Sequence, residues 1–172
     1  MLCPYYRICI IGPSSSGKST LAQKLGEKLN YPVLHIDQIA HIPGTKWKRC
    51  SLEDTIQKHN DFIEKESWII EGNYSKMMPK RLERADLVIV LHFNRFGCLY
   101  RFIRRSFQKN TNRAGMLDGG IETIKWSMLK YILFVASQKN KKYIKLLKDY
   151  PHLKVLHAHS FKEIEQIERE IS

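Results

Sequence analysis

With 172 residues the chain has room for one domain with its own apolar core, and it needs no disulfide or metal staple. Four cysteines without a C-x-x-C pair argue against a disulfide framework or a zinc site, and fit idle thiols in a reducing cytoplasm. No apolar run reaches membrane-spanning length, Met1 to Ile11 lacks a secretory pattern, and the formal charge of +12 leaves three readings: solvated basic helices, a site for highly charged phosphorylated compounds, or nucleic acid.

Arg7-Ile8-Cys9-Ile10-Ile11 is a short β-branched run of the kind a buried parallel strand shows. It feeds directly into Gly12 to Thr20, G-P-S-S-S-G-K-S-T, which fits G-x-x-x-x-G-K-[ST] with Gly12, Gly17, Lys18 and Ser19 in the defining places. Leu21, Leu25 and Leu29 follow at four-residue spacing and predict a helix. Strand, glycine loop and helix stand in the order that aims backbone N–H groups and a helix N-terminus at an anion. The N–H groups around Ser14, Ser15, Ser16, Gly17, Lys18 and Ser19 are expected to cradle the phosphates of ATP. Lys18 is expected to reach the β- and γ-phosphates, and Ser19 to offer its hydroxyl to Mg²⁺; Thr20 is its neighbour and a poorer ligand.

Asn30-Tyr31-Pro32 ends the first helix, and Val33-Leu34-His35-Ile36 reads as a second strand ending at Asp37. Ile42 to Arg49 reads as a loop, Leu52 to Lys65 has helical spacing, and Trp68-Ile69-Ile70 is a third strand broken by Gly72-Asn73. Asp86 to Phe93 is the most strand-like segment of all. A basic helix from Gly97 to Gln108 carries Arg101 and Arg105 on one face. Lys109 to Gly120 has the composition of a mobile loop, Ile121 to Asp149 is helical with a break expected near Ser137, Leu153 to His157 is a fifth strand, and Phe161 to Ile171 a closing helix. Basic residues outnumber acids from Lys76 to Arg113, and Lys125 to Lys148 holds seven lysines and no acid. Strands separated by helices imply a parallel α/β sheet in one domain, with ligands at the carboxyl ends of the strands.

Residues following those strand ends are the candidates for chemistry. Asp37 and Glu71 share the rim with the phosphate loop; one carboxylate is needed near Mg²⁺ and another to orient or deprotonate an acceptor. Spacing leaves the division open, and the assignment adopted is Glu71 with Ser19 for the metal and Asp37 for the acceptor. Asn73, Tyr74, Trp47 and His35 are further candidates for acceptor contact. Arg101, Arg105 and, beyond them, Arg113 form a candidate lid of about residues 101–120 that clamps phosphates and excludes water. His157 and His159 share a face, with nothing nearby to complete a metal site.

The order of phosphate loop, H-x-D, W-I-I-E-G-N-Y-S, R-L-E-R-A-D and C-L-x-R-x-x-x-R resembles the bacterial DNA topology modulation proteins, grouped with adenylate kinase and related P-loop kinases. The resemblance implies a P-loop three-layer sandwich with strand order 2-3-1-4-5 and a small helical lid. It implies that Glu71 takes the acidic position of a D-G-F-P-R segment. Arg101 and Arg105 would contact the phosphate donor, and the turn at Ser160-Phe161-Lys162 would touch its adenine. Two departures stand out. The acid is glutamate, and the D-G-F-P-R arginine that grips a nucleoside monophosphate has no counterpart in Glu71-Gly72-Asn73-Tyr74-Ser75. The expected activity is therefore cytoplasmic, Mg²⁺-dependent transfer of the ATP γ-phosphate to a nucleoside, nucleotide or similar small acceptor. The rivals are a nucleotide-regulated DNA-binding protein and a nucleotide hydrolase switch, the latter disfavoured by the lack of an N-K-x-D-like motif.

Overall fold

The computed structural model describes residues 4–45, 47–107, 114–115 and 126–171. Five parallel strands form one sheet: β1 (Arg7–Ile11), β2 (Val33–His35), β3 (Trp68–Glu71), β4 (Leu87–Leu91) and β5 (Lys154–Ala158), in the order β2-β3-β1-β4-β5. The order matches the one the family resemblance implies. Alternation along β1 divides the core. Ile8 and Ile10 pack with Leu21, Leu25, Ile164 and Ile167, on helices α1 (Lys18–Leu29) and α8 (Phe161–Ile171). Cys9 and Ile11 face the other way, where α2 (Ile36–Ile39), α3 (Leu52–Ile63) and α4 (Met78–Arg84) contribute Ile36, Ile63, Met78 and Leu82. Both faces of the central strands are thus covered, which is why they read as unbroken apolar runs.

Helix ends follow local chemistry. Ser51 caps α3 by accepting from the Asp54 N–H at 3.0 Å. Ser160 and Glu163 form a variant of the capping box at the start of α8: Ser160 Oγ accepts from the Glu163 N–H at 3.2 Å, and the Glu163 carboxylate reaches past the cap to accept from the His159 N–H at 2.9 Å. That box fixes the direction in which Phe161 leaves the sheet.

Several boundaries differ from those the sequence predicts. The second strand stops at His35, and Asp37 lies in the first turn of α2, so the carboxylate is held by a helical turn rather than a strand end. Helix α4 has no counterpart among the predicted elements, and its Arg81 is completely buried. The region before β5 is α6 (Trp126–Lys130), a π-helical turn at Tyr131–Val135, and α7 (Ala136–Leu146) closing in a 3₁₀ turn. The irregularity precedes Ser137 and does not break the helix there. Cys98 and Phe102 of α5 (Arg95–Phe107) pack on Ile132 of the π turn in a small cluster of their own. This cluster ties the candidate lid helix to the segment before α7.

Candidate active site

The phosphate loop leaves β1 beneath a tight neighbour. A Cβ on Gly12 would stand 2.8 Å from Leu91 Cβ and 3.0 Å from the Leu91 carbonyl oxygen, so only glycine lets the loop pass the end of β4. Asn73 holds the same residue from the other side. Its amide donates to Gly12 O at 2.7 Å, and its oxygen accepts from the Gly12 N–H at 3.2 Å. Asn73 lines the cavity, but both ends of its amide serve the loop, so it bonds the protein first. The loop then turns through Ser15 at φ +60°. The buried hydroxyls of Ser15 and Ser16 have no hydrogen-bond partner among the described residues, and Lys18 Nζ arches back to Pro13 O at 2.8 Å. Unpartnered hydroxyls and a cation folded over its own loop are what a phosphate would engage.

Ser19, the first-turn hydroxyl of α1, donates to Glu71 Oε1 at 2.9 Å, and His35 Nδ1 lies 3.0 Å from the same oxygen. Burial alone would push the Glu71 carboxyl up. The His35 hydrogen bond, Lys18 and Ser19 outweigh it and hold the group below its ordinary value. Ser19 and the ionised Glu71 are hard oxygen donors side by side next to the phosphate loop, so the set fits Mg²⁺. Gly115 closes this corner. A Cβ there, at φ +69°, would come within 2.9 Å of Ser19 Oγ and 3.1 Å of His35 Nδ1. His35 thus supports the carboxylate.

Asp37 has the opposite electrostatics. It accepts from the Tyr74 hydroxyl at 2.9 Å. Enclosure by the cleft walls, then the charge of Glu71, push its carboxyl up against the pull of Tyr74, Lys18 and His41. Asp37 is nonetheless an exposed residue, so solvent screens part of that rise.

These groups surround a cavity of about 530 Å³. Gly12, Ser14, Ser15, Lys18 and Ser19 form one end, Asp37, Glu71, Asn73 and Tyr74 the floor, and Trp47, Arg49, Arg105 and Gly115 further walls. Tyr131 and Lys139, from the π turn and α7, complete the lining. Arg101 stands outside it, on the far side of the loop. Its Nε donates to Ser15 O at 2.8 Å, and its guanidinium lies 5.0 Å from the Phe93 ring and 5.1 Å from the Phe161 ring. Phe161 also packs beside Gly17. Arg101 and Phe161 therefore meet at the loop, separated from Arg105, which faces the cavity one turn later.

The structure does not bring Thr20 into this site; it is exposed on α1. Arg113 and most of the candidate lid lie outside the described residues. His92, His157 and His159 meet away from the cavity, with His92 Nε2 2.8 Å from His157 Nδ1 and the His92 and His159 rings stacked at 4.5 Å. Among the described residues, no three or more His, Cys, Asp or Glu side chains gather as a metal-binding cluster, at these histidines or elsewhere.

Five contributors carry no signal of their role in the sequence. Tyr143 of α7 donates to Asn73 O at 2.7 Å and meets Ser75, latching the turn after β3. Arg81 Nη2 donates to Gly72 O at 2.7 Å, while Nε and Nη1 have no partner among the described residues. Arg49, Tyr131 and Lys139 line the cavity. For these last three, the basic character of their regions is the one hint the chain offers.

Sheet order, phosphate loop and flanking helices define the fold of the P-loop kinases. The similar solved structures agree. A gluconokinase from Sinorhizobium meliloti superposes with a TM-score of 0.52 at 16% identity, over 96% of this chain and 89% of that one. A shikimate kinase from Aquifex aeolicus gives 0.55 at 18%, over 96% and 92%. The YorR protein from Bacillus subtilis, in complex with phosphorylated GDP, gives 0.56 at 16%, over 95% and 92%. At such identities the shared property is the fold. No protein-family profile and no curated protein sequence matches the chain.

Proposed function

We propose that the chain is a nucleotide-dependent phosphotransferase that moves the terminal phosphoryl group of ATP to a hydroxyl of a small acceptor. The observation that carries this reading is one cavity that gathers Lys18 and Ser19 at one end with Glu71, bonded to Ser19, and Asp37 on its floor. Lys18 and the loop N–H groups would hold the donor phosphates. Ser19 and Glu71 would hold Mg²⁺, which supplies charge neutralisation on the phosphate oxygens. Asp37 would accept the acceptor's hydroxyl proton as its oxygen bonds to the γ-phosphorus and the β–γ bridging bond breaks, releasing ADP. Arg101 and Arg105 would steady the donor from either side of the loop. The kinase neighbours support the class, and the motif order supports a place beside the DNA topology modulation proteins. Free thiols at Cys9, Cys50 and Cys98 are consistent with a cytoplasmic setting.

The test is ADP release from ATP–Mg²⁺ across nucleosides, nucleoside monophosphates and small alcohols. Acceptor-dependent turnover is expected, with Lys18→Ala slowing it about 10²-fold or more while leaving thermal unfolding unchanged. A folded Lys18→Ala variant with most of the activity would overturn the reading.

A further inference from the structure

The cavity carries more positive charge than a phosphate donor needs. Its acids are Asp37 and Glu71, and its side-chain cations are Lys18, Arg49, Arg105 and Lys139. Both acids are engaged: Glu71 with Ser19 and His35, Asp37 with Tyr74. Lys18 belongs to the loop, and Arg105 extends from the same helix as the loop-bound Arg101. Arg49 and Lys139 remain. Among the described residues, no carboxylate lies within ion-pair distance of either; the described ion pairs involve other cations.

The two cations are aimed by separate devices. The segment after α2 folds back on itself. His41 and Arg49 form a bridge, the Ile42 N–H donates to Lys48 O at 2.8 Å, and His41 Nδ1 anchors the fold to Asp37 O at 2.8 Å. Arg49 is thereby tied to the turn that carries Asp37, and its charge acts on the Tyr74 phenol that donates to Asp37. Trp47, between them, sits at φ +61° with its ring 5.2 Å from that of His41. For a bulky side chain this backbone is strained, and strain of that kind is held in place by surrounding structure at working sites. On the other wall, Lys139 lies 5.4 Å from the Tyr131 ring, just beyond the π turn.

From this arrangement we infer that the acceptor itself carries an anionic group, a carboxylate or a phosphate, which Arg49 and Lys139 hold while Asp37 engages the hydroxyl that is phosphorylated. The inference rests on the phosphotransferase reading for its hydroxyl, and for its anion on two cavity cations without a carboxylate partner among the described residues. An anionic group on the acceptor would supply the counter-charge that neither cation finds among the described residues.

The experiment pairs charged and neutral versions of one compound: thymidine 5′-monophosphate with thymidine, ribose 5-phosphate with ribose, and quinate with its methyl ester. Binding is measured by calorimetry with a non-hydrolysable ATP analogue present, and turnover by ADP release. At least one anionic member should bind or react about tenfold or more better than its neutral partner, each such step being one tenfold unit of affinity. Arg49→Ala and Lys139→Ala should each erase most of that preference by raising acceptor KM or Kd, while Arg49→Lys restores part of it. The phosphate and carboxylate arms separate the two sources of charge. Equal use of neutral and charged partners, or a preference that survives in the double variant, overturns the inference while leaving the kinase reading intact. Anion binding that depends on Arg49 without turnover of any compound upholds the subsite and overturns the kinase reading instead.

Discussion

Asp37 and Glu71 are two carboxylates on one cavity floor, and their surroundings move them apart. Glu71 is held ionised by His35, Lys18 and Ser19, whereas enclosure and the neighbouring Glu71 charge raise Asp37. Opposed shifts in one cleft are the pattern that a metal ligand beside a proton-exchanging group would need. If Asp37 acts as the base, its carboxylate is the working form. Activity is then full above its folded pKa and declines as pH falls through it. The acid limb of kcat/KM should lie above the ordinary aspartate value of 3.8, and Glu71 should add nothing to it. The same shift has a second sign. A folded pKa above the unfolded one contributes stability at low pH that disappears as pH rises, so the ionised side chain disfavours folding at neutrality. Solvent screens that effect at an exposed side chain, so Asp37→Asn should leave the melting temperature at pH 7 unchanged or slightly raised while cutting turnover about 10²-fold and removing the acid limb. A pH–rate profile beside a thermal scan checks both. A variant that loses stability along with activity would show Asp37 to be a structural group.

The folded-back segment between α2 and α3 poses the same conflict over a run of residues. Trp47 occupies left-handed backbone that glycine adopts freely, at a cost of about 1–2 kcal/mol for an L side chain. Trp47→Gly should therefore leave the unfolding free energy within about 1 kcal/mol of the parent, removal of the packing on the His41 ring offsetting the relieved strain. Acceptor KM should nonetheless rise several-fold, since the wall beside Arg49 is gone, and Trp47→Phe should restore most of it. Unfolding curves and steady-state kinetics on the two variants decide the matter; an unaltered acceptor KM in Trp47→Gly would remove this segment from the site. The segment also shows where sequence stops being legible. Ile8 to Ile11, Ile69-Ile70 and Leu87 to Leu91 announce themselves because strands covered on both faces must be apolar throughout. Lys18, Ser19 and Glu71 are readable because a phosphate loop and a strand end dictate their places. The pairing of His41 with Arg49 has no local pattern, being a consequence of docking on Asp37. Helix α4 hides because Arg81, a residue ordinarily placed at the surface, is turned inward to Gly72 O. Tyr131 to Val135 is apolar or aromatic at every position, so no period distinguishes a π turn from an α-helix there.

At the scale of the whole chain, the charge of +12 has to be divided between the cavity and the outer surface. Helix α7 and the 3₁₀ turn that closes it make the division visible. Asn140, Tyr143 and Leu147 are buried against the sheet, while Lys141, Lys142, Lys145 and Lys148 are exposed, and Lys139 turns to the cavity. Four lysines on a solvated face attract any polyanion without reading a base edge. DNA binding by this protein should thus behave as counterion release: matched by heparin, indifferent to sequence, and weakening steeply between about 50 and 200 mM salt. Replacing the four exposed lysines by glutamine should flatten the salt slope by about 0.9 for each phosphate that is no longer neutralised, and leave phosphoryl transfer within about twofold. Fluorescence anisotropy with a short duplex over a salt series, run beside the ADP-release assay, measures the two effects independently. Sequence-selective binding that outlasts about 200 mM salt and changes with ATP would reverse the order of importance, making the basic helix a recognition surface and the phosphate loop its regulator.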